Sequence, residues 1–95
     1  MNRPAAIVLH VYGDLRTYCG GAPELPLRAR SVRDALAEIE ALQPSLYRNV
    51  CDERGIVRRH LNVFVNDDHI RDLDGIDTAL VPGDVLTILP AVSGG

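Results

Sequence analysis

Residues 85–95 read VLTILPAVSGG. The first part, VLTILP (85–90), has the apolar and β-branched content of a strand. Leu86 and Ile88 fall on one side of it, and Val85, Thr87 and Leu89 on the other, which is the two-residue period of a pleated backbone. Pro90 ends the run and AVSGG follows. Glycine loses more conformational freedom on folding than any other residue, so Gly94-Gly95 after a strand argues for a tail rather than for more sheet. What precedes the strand decides where it sits.

Just upstream, DGIDTALVPGD (74–84) reads as a loop with helical-turn character, and Pro82-Gly83 carries the signal of a type II turn. HLNVFVNDDHIRDL (60–73) reads as two short strands around a tight turn. Leu61, Val63 and Val65 alternate there with Asn62, Phe64 and Asn66, and Asn66-Asp67-Asp68 is turn chemistry. SVRDALAEIEALQP (31–44) is helical: Ser31 suits an N-cap, and Asp34 three residues on resembles a capping box. Val32, Ala35, Leu36, Ile39 and Leu42 share one helical face, Arg33, Glu38 and Glu40 point away, and Pro44 stops the run. SLYRNVCDERGIVRR (45–59) is expected to be an irregular or short helical connection, with a turn at residues 53–55.

At the other end, AAIVLHVYGDL (5–15) alternates Ile7, Leu9 and Val11 with Val8, His10 and Tyr12, as a strand does. Gly13-Asp14 can turn the chain, and CGGAP (19–23) is a loop. ELPLRAR (24–30) is a second strand, confined by Pro26 to an edge or a bulge. The two pair most simply as a hairpin. The order is strand, strand, helix, strand, short strand, strand. It predicts an α+β domain with a mixed four- to five-stranded sheet and one main helix packed on one face. A β-grasp (ubiquitin-like) arrangement fits, with the first and last strands parallel at the centre. Residues 1–90 then form the domain and 91–95 a C-terminal tail.

The bulk properties narrow the function. Ninety-five residues make one domain that buries roughly 60–65% of its unfolded surface, too little for a deep enclosed active site. A net charge of −3 and a pI near 5.5 argue against nucleic acid, which asks for a basic face. All ten basic residues are arginine. Cys19 and Cys51 match no zinc or redox spacing, and the three histidines share no metal-ligand spacing, so no metal site is expected. No apolar run approaches the ~18–20 residues of a membrane span, and the N-terminus lacks a signal-peptide plan. These features predict a cytoplasmic protein with reduced thiols and no membrane partner. No nucleophile–base pair stands out, so no catalytic activity is expected of the chain itself.

The stretch VFVNDDHIRDLDGIDTALVPGDVLTILPAVSGG (63–95) resembles the ubiquitin-like sulfur carriers, the family of the molybdopterin synthase small subunit and of the thiazole-synthesis carrier ThiS. The matching features are Val65-Asn66 at the strand end, the turn from Leu80 to Asp84, and the LPAVSGG tail. The hairpin and the helix from Ser31 also fall where the family has them. The tail and DLDGIDTALVPGD are most similar to the carriers that serve cysteine biosynthesis in actinobacteria. The resemblance implies a β-grasp fold and a protein co-substrate that carries sulfur as a thiocarboxylate on Gly95. An E1-like adenylating enzyme would activate that carboxylate with ATP, the chain itself binding no cofactor. Sulfur would replace the AMP and pass to a sulfur-accepting synthase serving cysteine, molybdopterin or a sulfur-containing metabolite.

The tail suits that chemistry. A carboxylate is a poor electrophile, and activation requires its oxygen in line with the α-phosphorus of ATP. Val92, Ser93 and Gly94 would thread Gly95 into a partner's pocket, about 13–14 Å being spanned by four extended residues. The ordinary alternative is a frayed terminus. The outward side of the central strands (Val8, His10, Tyr12, Phe64, Val85, Thr87, Leu89) is unusually apolar for a solvated surface, and such patches mark partner surfaces. In the family this face docks on the adenylating enzyme, so Tyr12, Phe64, His69, Thr87 and Leu89 are the candidate partner-binding residues. A satellite cluster or a homodimer contact would also account for an apolar face. His69 is read either as bordering it or as a solvated turn residue. Cys19 and Cys51 are read as relaying persulfide sulfur or, more simply, as buried or loop thiols. A rival function is a ubiquitin-like modifier joined to target lysines through Gly95, and another is a regulatory subunit that only inserts its tail into a partner.

Overall fold

The computed structural model describes residues 3–90. Its five strands are β1 (Ala5–Val11), β2 (Glu24–Ala29), β3 (Leu61–Val65), β4 (Asp68–His69) and β5 (Val85–Pro90). They form one sheet in the order β2-β1-β5-β3-β4. β1 and β5 run parallel in the middle, Val8 opposite Val85 and Val11 opposite Ile88. All other pairs are antiparallel. Helices α1 (Val32–Leu42) and α2 (Pro44–Val50) contribute to a single core on one face of the sheet. The β-grasp arrangement expected from element order is therefore present, with five strands.

Alternation decides which side of each strand is buried. Ile7, Leu9, Val11, Leu61, Val63, Val65, Leu86 and Ile88 all lie in the core. They meet Val32, Ala35, Leu36 and Ile39 of α1 and Leu46 and Val50 of α2. Ser31 caps α1: its hydroxyl accepts from the Asp34 amide at 3.1 Å, and Asp34 Oδ2 accepts from the Arg30 amide at 2.8 Å. The Asp34 carboxylate thus reaches one residue farther back than a standard capping box. Pro26 sits in β2, an edge strand, where its missing N–H costs no ladder bond.

The turn between β3 and β4 and the turn before β5 lock together. Asn66 takes φ 54°, the left-handed conformation that asparagine tolerates better than most residues. Its amide N donates to Val85 O at 2.7 Å, and its side-chain oxygen accepts from Val85 N at 3.0 Å. Its side-chain nitrogen donates to Asp84 Oδ1 at 3.1 Å, while Asp84 Oδ2 accepts from Val81 N at 2.9 Å. Pro82-Gly83 forms the expected turn: Gly83 has φ 91°, and Asp84 N donates to Val81 O at 3.1 Å. Gly83 N then bonds Ala6 O and Asp84 O accepts from Val8 N, which ties the turn to β1.

Three expectations need correction. Leu42 is 57% exposed rather than core, because at 100° per residue it falls at the rim of the apolar arc centred on Val32, Leu36 and Ile39. Pro44 does not simply end a helix; it occupies the first turn of α2, where its fixed φ is already helical. Residues Gly13–Cys19 are a 3-10 segment rather than a plain turn, ended by Gly20 in the left-handed conformation. It buries Leu15 and Cys19. The turn expected at residues 53–55 is present, with Gly55 at φ 79° and Asp52 Oδ1 accepting from the amides of Arg54 and Ile56.

Candidate functional site

The outer face of the sheet is built by the residues that alternate with the core. Register places Glu24, His10, Thr87, Phe64 and His69 in one row across all five strands. Leu89 and Asn62 pair in the next row toward the end of β5, and Tyr12 continues β1 on the same side. Tyr12, Phe64, His69, Thr87 and Leu89 are thus brought onto one surface. Tyr12 is exposed and the other four are partly buried.

This surface is less uniformly apolar than alternation suggested. His10 Nε2 lies 3.3 Å from Glu24 Oε1. The His10 ring also meets Tyr12 edge-on, with centroids 6.3 Å apart. The Arg16 guanidinium stands 5.6 Å from the Tyr12 centroid, within cation–π range, and its Nε donates to Val11 O at 2.9 Å. On the other side, Phe64 and His69 stack edge to face at 5.1 Å. His69 Nδ1 accepts from the Arg71 amide at 3.1 Å. That bond leaves the proton on Nε2, which donates to Asn62 Oδ1 at 3.0 Å. His69 is therefore a fixed member of the face and not a solvated turn residue. Glu24, Asn62 and Arg16 were missed as site residues. Asn62 was visible in the β3 alternation, whereas Glu24 required the β1–β2 register and Arg16 the 3-10 segment.

Val92, Ser93, Gly94 and Gly95 lie outside the described residues. The described chain reaches Pro90, opposite Leu61 at the sheet's end. The Pro90 ring lies over Gly13, which has φ 64° and where a Cβ would stand 3.4 Å from Pro90 Cγ. Glycine is required there by its backbone conformation.

Cys19 and Cys51 are both free and buried. Burial raises the Cys19 thiol above its ordinary value. Burial also pushes Cys51 up to about 11, and the neighbouring Asp52 carboxylate adds to the shift. The nucleophilic form of a cysteine is its thiolate, so neither is poised to relay persulfide sulfur. The simpler of the two readings of these cysteines fits. Among the described residues no three His, Cys, Asp or Glu side chains are grouped as metal ligands, and no helix is long and apolar enough to cross a membrane.

The profile of the ThiS family matches residues 9–95. The chain belongs to the ThiS family. It is 32% identical over 83 residues to the sulfur carrier protein CysO of Mycobacterium tuberculosis, which covers 85% of this chain and 89% of that protein. The solution structure of small archaeal modifier protein 1 from Methanosarcina acetivorans superposes with a TM-score of 0.86 at 33% identity, covering 99% of this chain and all of the other. A chain of the Amycolatopsis orientalis BexX/CysO complex superposes with a TM-score of 0.84 at 31% identity, over 95% of this chain and all of that one. These ThiS-family relatives are carriers and modifiers, and this chain is a small ubiquitin-like protein of the same kind rather than an enzyme.

Proposed function

We propose that this protein is a sulfur carrier whose working group is the Gly95 carboxylate. The observation that carries the reading is a ThiS-family match that runs through the Gly-Gly end of the sequence. In the proposed cycle an E1-like enzyme holds ATP, and one oxygen of the Gly95 carboxylate attacks the α-phosphorus with loss of pyrophosphate. A sulfur nucleophile then attacks the acyl carbon, AMP leaves, and the tail ends in a thiocarboxylate. That group passes its sulfur to an accepting synthase in cysteine, molybdopterin or sulfur-metabolite formation. ATP binds to the partner, and no cofactor binds to this chain. Similarity to carriers named CysO supports the carrier reading, and two free cysteines suit a reducing cytoplasm.

The division of labour follows from chemistry. Gly94 and Gly95 lack Cβ atoms and can pass a narrow channel in conformations closed to other residues, with Val92 and Ser93 leading them in. Tyr12, Phe64, Thr87 and Leu89, with His69 fixed beside Phe64, would hold the activating enzyme while the tail reacts. Similarity to a chain of the BexX/CysO complex supports a partner protein at that surface.

Incubation with ATP, sulfide and a cognate activating enzyme, followed by intact mass spectrometry, tests the proposal. The expected product is heavier by the replacement of one oxygen with sulfur. A variant with one residue added after Gly95 should remain unloaded. Loading of the extended, uncleaved protein would overturn the reading. Similarity to an archaeal modifier supports a second function, conjugation to target lysines through Gly95. The chain has no lysine of its own and so cannot build lysine-linked chains on itself. Conjugates that survive reducing gels would favour that function, and a single free band the carrier.

A further inference from the structure

A groove of about 360 Å³ opens beside β3 and reaches His69 at the edge of the outer sheet face. Its floor is apolar: Leu61, Val63 and Ile70 belong to the core, and Val57 and Ile76 pack against it half-buried. Ile56 is 53% exposed. Arg58, Arg59 and Arg71 form the rim, and no carboxylate lines it. Among the described residues none of these three arginines pairs with an acid; the arginine ion pairs there are Arg33–Asp77 and Arg54–Asp52. The rim is thus locally positive on a chain whose net charge is −3. Arg58 is held in place, its Nε and Nη2 donating to Arg48 O at 3.2 and 2.9 Å. Arg58 and Leu61 also line a second hollow that ends at Pro90.

We propose that this groove docks a segment of a partner protein that combines bulky aliphatic side chains with carboxylates. The apolar floor takes the aliphatic groups and gains the free energy of their burial. The guanidiniums meet the carboxylates in charge-assisted, geometrically selective bonds. A purely anionic ligand leaves the floor in water, and a purely apolar one leaves the arginines without partners. The groove and the outer face adjoin at His69, which lines both. This docking is independent of whether Gly95 carries sulfur.

A capped octapeptide alternating leucine with aspartate probes the groove, read by amide shifts of the ¹⁵N-labelled full chain. The expected shifts fall at Val57, Arg59 and Ile76 and spare Val8 and Thr87. Arg59→Glu combined with Arg71→Glu should weaken binding at least tenfold while leaving the melting temperature near that of the parent. An aspartate-only octapeptide should bind at least tenfold more weakly than the alternating one. The proposal fails if the alternating peptide does not bind, if it binds on the outer face, or if charge reversal leaves its affinity unchanged. It fails too if the aspartate-only peptide binds equally, which would make the site a mere anion sink. Groove shifts that grow with protein concentration before peptide is added would assign the surface to a second copy of the chain and overturn it as well.

Discussion

Asn66 shows how one side chain fixes two turns. It holds a left-handed backbone at φ 54° and exchanges two hydrogen bonds with Val85 and one with Asp84. Replacing it with alanine removes both side-chain bonds, each worth about 0.5–1.5 kcal/mol, and adds a left-handed penalty of about 1–2 kcal/mol. Because the residue is exposed, the lower ends apply, and Asn66→Ala should destabilise by about 2 kcal/mol. Asn66→Gly keeps the conformation and loses only the bonds, so it should cost about 1 kcal/mol. Thermal unfolding checks both, since 1 kcal/mol moves the midpoint by roughly 4–8 °C in a domain of this size. Equal midpoints for the two variants would show that backbone strain plays no part. The same residue joins Val65-Asn66 to the Leu80–Asp84 turn: each supplies half of one clamp.

At the scale of elements, legibility followed the strength of the local period. The helix from Ser31 and strands β1, β3 and β5 were plain because their apolar residues repeat every three to four or every two positions over a full core face. The 3-10 segment at Gly13–Cys19 was not, since it has only Leu15 and Cys19 as buried anchors, too few to show a period. Helix α2 is half visible for the same reason, because Pro44 signals the stop of α1 and equally suits the first turn of α2. The outer face was legible as a set of positions, but its pairings were not. His10 with Glu24 and His69 with Asn62 depend on strand register and on a turn, which alternation alone leaves open. Caps are among the signals that local sequence does give. Ser31→Ala removes the bond from the Asp34 amide and should cost about 1 kcal/mol. Ser31→Asp should restore most of it, as measured by chemical denaturation. Loss from Ser31→Ala that aspartate fails to recover would place the role of Ser31 elsewhere, for instance in its isolated bridge to Ala79.

The whole molecule is a two-sided sheet with opposite demands on its faces. One side must exclude water to hold the fold, and the same strands must leave the other side available. β5 serves both: Leu86 and Ile88 are completely buried, whereas Val85, Thr87 and Leu89 remain partly accessible between them. Sheet polarity then does the rest, because β5 ends at Pro90 beside Leu89, so a partner seated on the outer face lies next to the end of that strand. This coupling predicts that affinity and reactivity of the tail can be changed without changing the fold. Leu89→Asp introduces a charge on the outer face opposite Asn62, where water can still solvate it. It should leave the unfolding midpoint within a few degrees of the parent, and should weaken binding of a cognate activating enzyme at least tenfold. Leu86→Asp, two strand positions short of Ile88 on the buried side, should instead unfold the domain, since a carboxylate there has no partner. Calorimetric titration and thermal unfolding of the two variants side by side separate the roles. Unchanged enzyme affinity in folded Leu89→Asp would remove the outer face from the proposed docking surface, and would leave the arginine-rimmed groove as the surface to examine for that partner.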